Sequence, residues 1–306
     1  MKDRDDLRIA LSTMRSRADA LPLTALRQAW EDAALSLPSP CGVTMDTIVL
    51  GGVLCRRVLV TAAIDDAICP MIYLPGGGYT AGSSRTHLGL VAAIARIYPG
   101  PVIVPDYRLA PEHPFPAAID DVEEVIAALI QDDADYVLAG DSAGGGLAVA
   151  TMLRQRDLRG KLPLAAWMLS PWTDLRLVAE TLTSNAERDV GLSTRSLAAS
   201  AEAYLAGQDP ATVLASPVLA ELSGLPFTLV QAGADELLLD DARHLAERMA
   251  RAGVECQLSV YPAMWHVWHH YYAILQEARA AIEEGVAGVL RRVRDQPTRV
   301  TPLVSA

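Results

Sequence analysis

A chain of 306 residues with 51% hydrophobic side chains is long enough to bury one large α/β core or two small ones. Its formal net charge of −11, with no basic block anywhere, argues against nucleic acid and anionic membrane as partners, since both need clustered Lys and Arg. Residues 1–20 mix Lys, Arg and Asp with isolated apolar positions, and no run of about 18 apolar residues follows, so a soluble cytoplasmic protein is expected.

Residues 1–40 carry helical patterning, notably Thr24 to Leu35, but no sheet-forming run, and Pro38 and Pro40 close the segment. They read as a helical appendage. Val43–Leu50 and Val53–Val60 are rich in β-branched residues on either side of Gly51-Gly52, a two-residue hairpin signal that makes the sheet begin antiparallel. From Met71 onward strand-like and helix-like segments alternate, the pattern of a mostly parallel sheet covered on both faces. Strands are expected at Met71–Leu74, Val102–Val104, Tyr136–Ala139, Ala165–Leu169, Phe227–Gln231 and Gln257–Tyr261, giving about eight with the hairpin. Helices are expected near His87–Ile97, Ala118–Ile130, Gly145–Arg156, Asp240–Ala252 and Trp268–Arg294.

Between Ser170 and Pro226 no strand is expected, only helix-like pieces around Ala179–Arg188 and Ser196–Leu205. This insertion and the N-terminal segment are the natural source of a cap. The domain division that follows is a cap of residues 1–40 and 171–225 on an α/β unit of residues 41–170 and 226–295. Residues 296–306, polar and bracketed by Pro297 and Pro302, read as a flexible tail. Cys41, Cys55, Cys69 and Cys256 have neither Cys-x-x-Cys spacing nor histidine partners. They read as reduced thiols without metal or disulfide duty, and no cofactor is expected.

The pentad Gly140-Asp141-Ser142-Ala143-Gly144 lies between the strand-like Tyr136–Ala139 and a small, apolar, helix-compatible run. A strand, a sharp turn and a helix there would project the Ser142 hydroxyl from the carboxyl edge of the sheet, which makes it a candidate nucleophile. No Gly-Lys-Ser/Thr ending and no Gly-x-Gly-x-x-Gly spacing supports a phosphate-binding reading instead. In open α/β sheets functional groups gather beyond the carboxyl ends of strands. By that rule Asp235, the first carboxylate past Phe227–Gln231, is the candidate orienting acid, and His266, in the loop past Gln257–Tyr261, is the candidate base. Glu236, Asp240 and Asp241 follow Asp235, the last two at the start of a helix where a carboxylate suits the dipole. His269 and His270 read as half-exposed helix residues, and His87, His113 and His244 as bland. Trp265 and Trp268 flank His266, as core or as a wall of the cleft.

Nucleophile, acid and base in that chain order are expected on an α/β-hydrolase sheet. Past Met71–Leu74 runs Gly76-Gly77-Gly78, whose backbone N–H groups, with that of Ala143, could face a developing oxyanion.

These residues, with the run Tyr107 to Ala118, Gly140-Asp141-Ser142-Ala143-Gly144-Gly145, Ser170-Pro171-Trp172, Asp235-Glu236-Leu237 and His266, make residues 70–295 resemble the bacterial hormone-sensitive-lipase-like (family IV) esterases of the α/β-hydrolase superfamily. The resemblance implies a carboxylesterase with Ser142, Asp235 and His266 as its triad and Gly77, Gly78 and Ala143 as oxyanion donors. It gives Gly76 and Asp141 supporting places, and puts Arg108, Glu112 and Asp121 in ionic or hydrogen-bonded scaffolding. One position departs. The family usually carries His before the three glycines, and this chain has Pro75. Either the ring's stiffness pins the loop, or the enzyme is slower or tuned to an unusual substrate.

The expected partner is a small-molecule ester of short to medium acyl chain, and the chain is expected to be a monomer or a homodimer. A lactone or natural-product ester hydrolase, a lyase, and a non-catalytic ligand-binding protein on the same scaffold are the competing readings.

Overall fold

The computed structural model describes residues 2–36, 40–61, 65 and 68–295, so the expected flexible tail lies outside the described residues. Two helices, α1 (Lys2–Ala18) and α2 (Leu23–Ser36), precede the hairpin of β1 (Val43–Leu50) and β2 (Val53–Val60). There follow β3 (Met71–Leu74), α3 (Leu88–Ala95), β4 (Val102–Pro105), α4 (Ala117–Leu129), β5 (Val137–Asp141), α5 (Ala143–Asp157) and β6 (Ala165–Leu169). The connection to β7 (Thr228–Gly233) holds α6 (Thr181–Ser184) and α7 (Thr194–Leu205), and the chain closes with α8 (Leu239–Arg251), β8 (Cys256–Tyr261) and α9 (Gln276–Arg294).

The eight strands form one sheet in the order β1-β2-β4-β3-β5-β6-β7-β8. β1 and β2 pair antiparallel, as do β2 and β4, and every later pairing is parallel. The fold is that of an α/β hydrolase with an antiparallel start, flanking helices and a cap region.

Strand side chains alternate between faces with a period of two. Ile72, Leu74, Leu138, Ala166 and Met168 join a core with α4, α5 and α8, while Met71, Tyr73, Val137, Ala139, Trp167 and Leu169 join one with α3 and α9. Both faces of the central strands are therefore covered, which is why they read as unbroken apolar runs. β8 lies at the sheet edge, half-buried.

The expected single helix Trp268–Arg294 is broken. Trp268–Tyr271 form a short 3₁₀ turn, and α9 begins at Gln276. The turn packs Trp268 and Trp265, both fully buried, against Leu11 of α1 and Val190 of the cap connection. Both tryptophans are core rather than cleft wall.

On α9, Gly285 faces Trp167 so closely that an added Cβ would lie 2.1 Å from ring atoms. The indole is fixed by a 2.9 Å bond from its Nε1 to Gln231, whose own amide donates to the carbonyl of Ala281 on α9. Helix propensity would favour Ala over Gly by about 1 kcal/mol, but overpacking a fixed ring costs about 1–3 kcal/mol. Gly285→Ala should therefore lower the urea midpoint of unfolding; an equal or higher midpoint would contradict this packing.

Candidate active site

Ser142 sits between the end of β5 and the first residue of α5 with φ 52° and ψ −121°. This is a strained backbone for a non-glycine residue, costing of order 1–3 kcal/mol. Neighbouring strands hold it. The Ser142 N–H donates to the Leu169 carbonyl at the end of β6 (2.9 Å), and its carbonyl accepts from Trp172 (2.9 Å) and Gly146 (3.1 Å). The side chain has no capping bond to the helix and is free to meet His266, whose Nε2 lies 2.9 Å from its Oγ. Sequence placed these two side chains beyond different strand ends, and the fold brings them together.

Asp235 is not beside them. Its carboxylate pairs with arginines of the cap region, Arg8 on α1 at 3.2 Å and Arg188 at 3.5 Å. The acid facing His266 is Glu236, whose Oε2 lies 3.9 Å from Nδ1. β7 runs two residues further than expected, to Gly233, and a tight turn with the Glu236 N–H on the Gly233 carbonyl (3.3 Å) folds residue 236 back under the sheet edge. Glu236 is fully buried there. Its Oε2 accepts from the Ser170 hydroxyl (2.6 Å) and the Gly233 N–H (3.1 Å), and Ser170 Oγ in turn accepts from the Val267 N–H (3.2 Å). Ser170 thus joins the turn of the acid to the loop of the histidine. Glu236 Oε1 and His266 Nδ1 are both buried and have no hydrogen-bond partner. The ring nitrogen is thus left unpaired beside the Glu236 carboxyl, 3.9 Å from an Oε2 that Ser170 and Gly233 already engage.

Burial pushes the Glu236 carboxyl well above its usual range, and the nearby Asp189 and Asp241 add to this against the pull of Ser170 and Gly233. Burial, reinforced by His270 and opposed by Asp141, lowers the His266 imidazole to about 4. At neutral pH His266 is uncharged and able to accept a proton.

The glycine loop after β3 folds back on itself, with the N–H groups of Thr80 and Ala81 both on the Gly77 carbonyl. This needs φ of 122° at Gly77 and 65° at Gly78, values that side chains with a Cβ rarely adopt. Among the described residues, the N–H groups of Gly77, Gly78 and Ala143 have no protein acceptor. The loop is anchored without a histidine at position 75. Gly76 donates to Asp141 Oδ1 (3.0 Å) and lies 3.2 Å from His87 Nε2, Asp141 also accepts from the Tyr73 hydroxyl (2.8 Å), and the Tyr107 hydroxyl donates to the Pro75 carbonyl. His87, which reads as bland in the sequence, is 4% exposed and belongs to this anchor.

Burial pushes Asp141 up, but the imidazoles of His87 and His270 and the Tyr73 hydroxyl outweigh it and hold the carboxyl below its usual range. His87, Asp141 and His270 offer three ligand atoms within 4.8 Å of one another, the one such group among the described residues. Gly76 and Tyr73 already engage two of the three residues, so we read the group as hydrogen-bonded support. His269, expected half-exposed, is fully buried, with Nε2 3.1 Å from Gln231 Oε1. The expected scaffold contacts are present: Arg108 lies 2.7 Å from Asp121, and Arg27 of α2 lies 2.8 Å from Glu112.

The cap region lies on this loop. Tyr204 of α7 stacks on Tyr79 with ring centroids 3.8 Å apart, and Ser200 Oγ is 3.4 Å from Thr80 Oγ1. Ser142 is left only 7% exposed.

A serine hydroxyl on an imidazole, a buried carboxyl group 3.9 Å behind that ring and unengaged N–H groups in front define a serine-hydrolase-type site on an α/β-hydrolase sheet. Residues 71–270 match the family described as alpha/beta hydrolase fold. An acetyl-hydrolase of Streptomyces hygroscopicus is 42% identical over 225 residues, 72% of this chain and 75% of that protein. An esterase of Acinetobacter venetianus is 34% identical over 264 residues, covering 85% and 86% of the two chains. Among solved structures, an esterase from the bacterial hormone-sensitive lipase family superposes with a TM-score of 0.88 at 37% identity over 94% of this chain and 98% of that one. The hormone-sensitive-lipase homologue EstE7 from a metagenome library gives 0.89 at 37% identity over 96% and 99%. The chain belongs to the bacterial hormone-sensitive-lipase-like esterases of the α/β-hydrolase superfamily and is a carboxylic ester hydrolase.

The electrostatics of the site are open to direct titration. In a ¹⁵N-imidazole NMR series His266 should stay neutral to below pH 5, with a midpoint near 4; a midpoint at or above the ordinary histidine value of about 6.5 would contradict its burial.

Proposed function

We propose that the protein is a serine carboxylesterase that cleaves short- to medium-chain esters through an acyl-enzyme on Ser142, with Glu236 rather than Asp235 as the acid of its triad. The observation that carries this reading is the 2.9 Å contact between His266 Nε2 and Ser142 Oγ, with the unpartnered Nδ1 of the same ring turned to Glu236.

In the reaction His266 takes the Ser142 proton as Oγ attacks the ester carbonyl. The N–H groups of Gly77, Gly78 and Ala143 receive the charge that develops on the carbonyl oxygen, each such donor contributing about 3–4 kcal/mol. His266 then protonates the departing alkoxide. Water, activated by the same ring, releases the acid and regenerates Ser142. Glu236 fixes the Nδ1–H tautomer and offsets the charge of the transient imidazolium, while Gly76 and Asp141 hold the donor loop. Residues 1–40 and 171–225 act as the cap over a catalytic unit of residues 41–170 and 226–295. The packing of Ser200 and Tyr204 against the donor loop favours short acyl groups. The acetyl-hydrolase name of a 42% identical relative agrees with that choice.

p-Nitrophenyl esters from acetate to palmitate test the reading. Turnover should be highest at the short end and fall on the order of 10⁴-fold or more in Ser142→Ala. Glu236→Gln should lower kcat by on the order of 10³–10⁴, whereas Asp235→Asn should stay within about tenfold of wild type. The reverse order of the two acid variants would return the orienting role to Asp235, and a maximum at palmitate would overturn the substrate class.

A further inference from the structure

The geometry points to Asn185 and Asp189, on the cap connection between α6 and α7, as positioning residues for the catalytic acid and base: one clamp, carried by the cap, that fixes the turn of Glu236 and the loop of His266 together. The inference rests on the roles given above to those two residues.

Both side chains are buried, Asn185 at 3% exposure and Asp189 at 0%. They are four residues apart, with the Asp189 N–H on the Asn185 carbonyl (2.9 Å), so they move as a unit. The Asn185 amide donates to the carbonyl of Glu236 (2.9 Å) and also lies 3.2 Å from that of Ala234. Asp189 Oδ2 accepts from the N–H of Leu237 (2.9 Å). The Glu236 carbonyl and the Leu237 N–H belong to one peptide unit, so the pair grips the peptide that follows Glu236 at both its polar ends.

The other oxygen, Asp189 Oδ1, accepts from Gly191 (2.9 Å) and Leu192 (3.2 Å) of the cap and from the His266 N–H (3.4 Å). One carboxylate thereby collects four backbone donors from three segments. Its own carbonyl accepts from Arg15 of α1, which ties the N-terminal helix to the same point. Burial pushes the Asp189 carboxyl up to about 6 against the pull of these N–H groups. At neutral pH it is therefore mainly the carboxylate that four donors require.

Cost and placement suggest more than a fold contact. A buried carboxylate is expensive to keep unless its hydrogen bonds are complete, and a surface loop could be tied down with less. What this one ties is the peptide after the acid and the amide of the base. A displacement of about 1 Å at such groups is enough to cost on the order of 10²-fold in rate.

The test compares wild type with Asp189→Asn, Asn185→Asp and, as a control on the same turn, Glu187→Gln, whose side chain is exposed. It measures p-nitrophenyl acetate kinetics and the rate at which Ser142 reacts with an organophosphate. Asp189→Asn and Asn185→Asp should each lower kcat by about 10- to 100-fold, leave KM within about threefold, and slow phosphonylation in parallel, while Glu187→Gln stays within about twofold of wild type. Amide hydrogen exchange on the wild type gives a reading that needs no variant to fold: Leu237 and His266 should exchange slowly and together with Gly191 and Leu192. An active wild type whose clamp variants match it in kcat, or whose Leu237 and His266 amides exchange freely, overturns the clamp alone. A wild type that neither hydrolyses ester nor reacts with organophosphate overturns the reading of the site and the clamp with it.

Discussion

The backbone of Ser142 is the constraint on which the rest of the site depends. A non-glycine residue at φ 52° and ψ −121° is held only where its surroundings leave no alternative. Here the N–H is fixed by the end of β6, the carbonyl by Trp172 and Gly146, and the following helix begins one residue later. The carboxyl edge of the sheet therefore presents a hydroxyl instead of a strand end. The groups gathered at that point come from neighbouring strand ends: the glycine loop from β3, Ser170 from β6, Glu236 from β7 and His266 from β8.

Much of this arrangement was legible in the residues. The hairpin around Gly51-Gly52 forms in register from Val43 opposite Val60 to Leu50 opposite Val53, because two glycines between β-branched runs leave little choice. Met71–Leu74 and Ala165–Leu169 are strands over the bounds expected, since apolar runs covered on both faces carry a strong signal. The rule that places functional groups past strand ends picks out Ser142 and His266, whose side chains the fold brings within 2.9 Å of one another.

Other features needed three dimensions. Glu236 and Asp235 are adjacent, and composition cannot say which carboxylate a tight turn directs inward. That depends on the extension of β7 to Gly233 and on two cap arginines, Arg8 and Arg188, that pair with Asp235. The break between Tyr271 and Gln276 follows from packing Trp265 and Trp268 into the core, which helical periodicity in Trp268–Arg294 does not report. Pro75 in place of a histidine gives no hint that His87, eleven residues beyond the Gly76 it meets, joins Asp141 and Tyr107 in anchoring the loop. Asn185 and Asp189 carry no local signal either, because their partners are backbone groups distant in sequence.

The cap region touches the glycine loop and the turns that carry Glu236 and His266. α7 stacks on the residue next to the glycine loop, α1 reaches Asp235 through Arg8, and the turn after α6 meets the peptides around Glu236 and His266. The proposed chemistry needs Glu236, His266, Ser142 and the three backbone donors to act as one unit. Its most direct test is a crystal structure of the enzyme with a phosphonate bonded to Ser142 Oγ. The phosphoryl oxygen should lie about 2.7–3.1 Å from the nitrogens of Gly77, Gly78 and Ala143, with His266 Nδ1 closed to about 3 Å from a Glu236 oxygen. A phosphoryl oxygen turned away from the glycine loop, or an imidazole paired with Asp235, would contradict it.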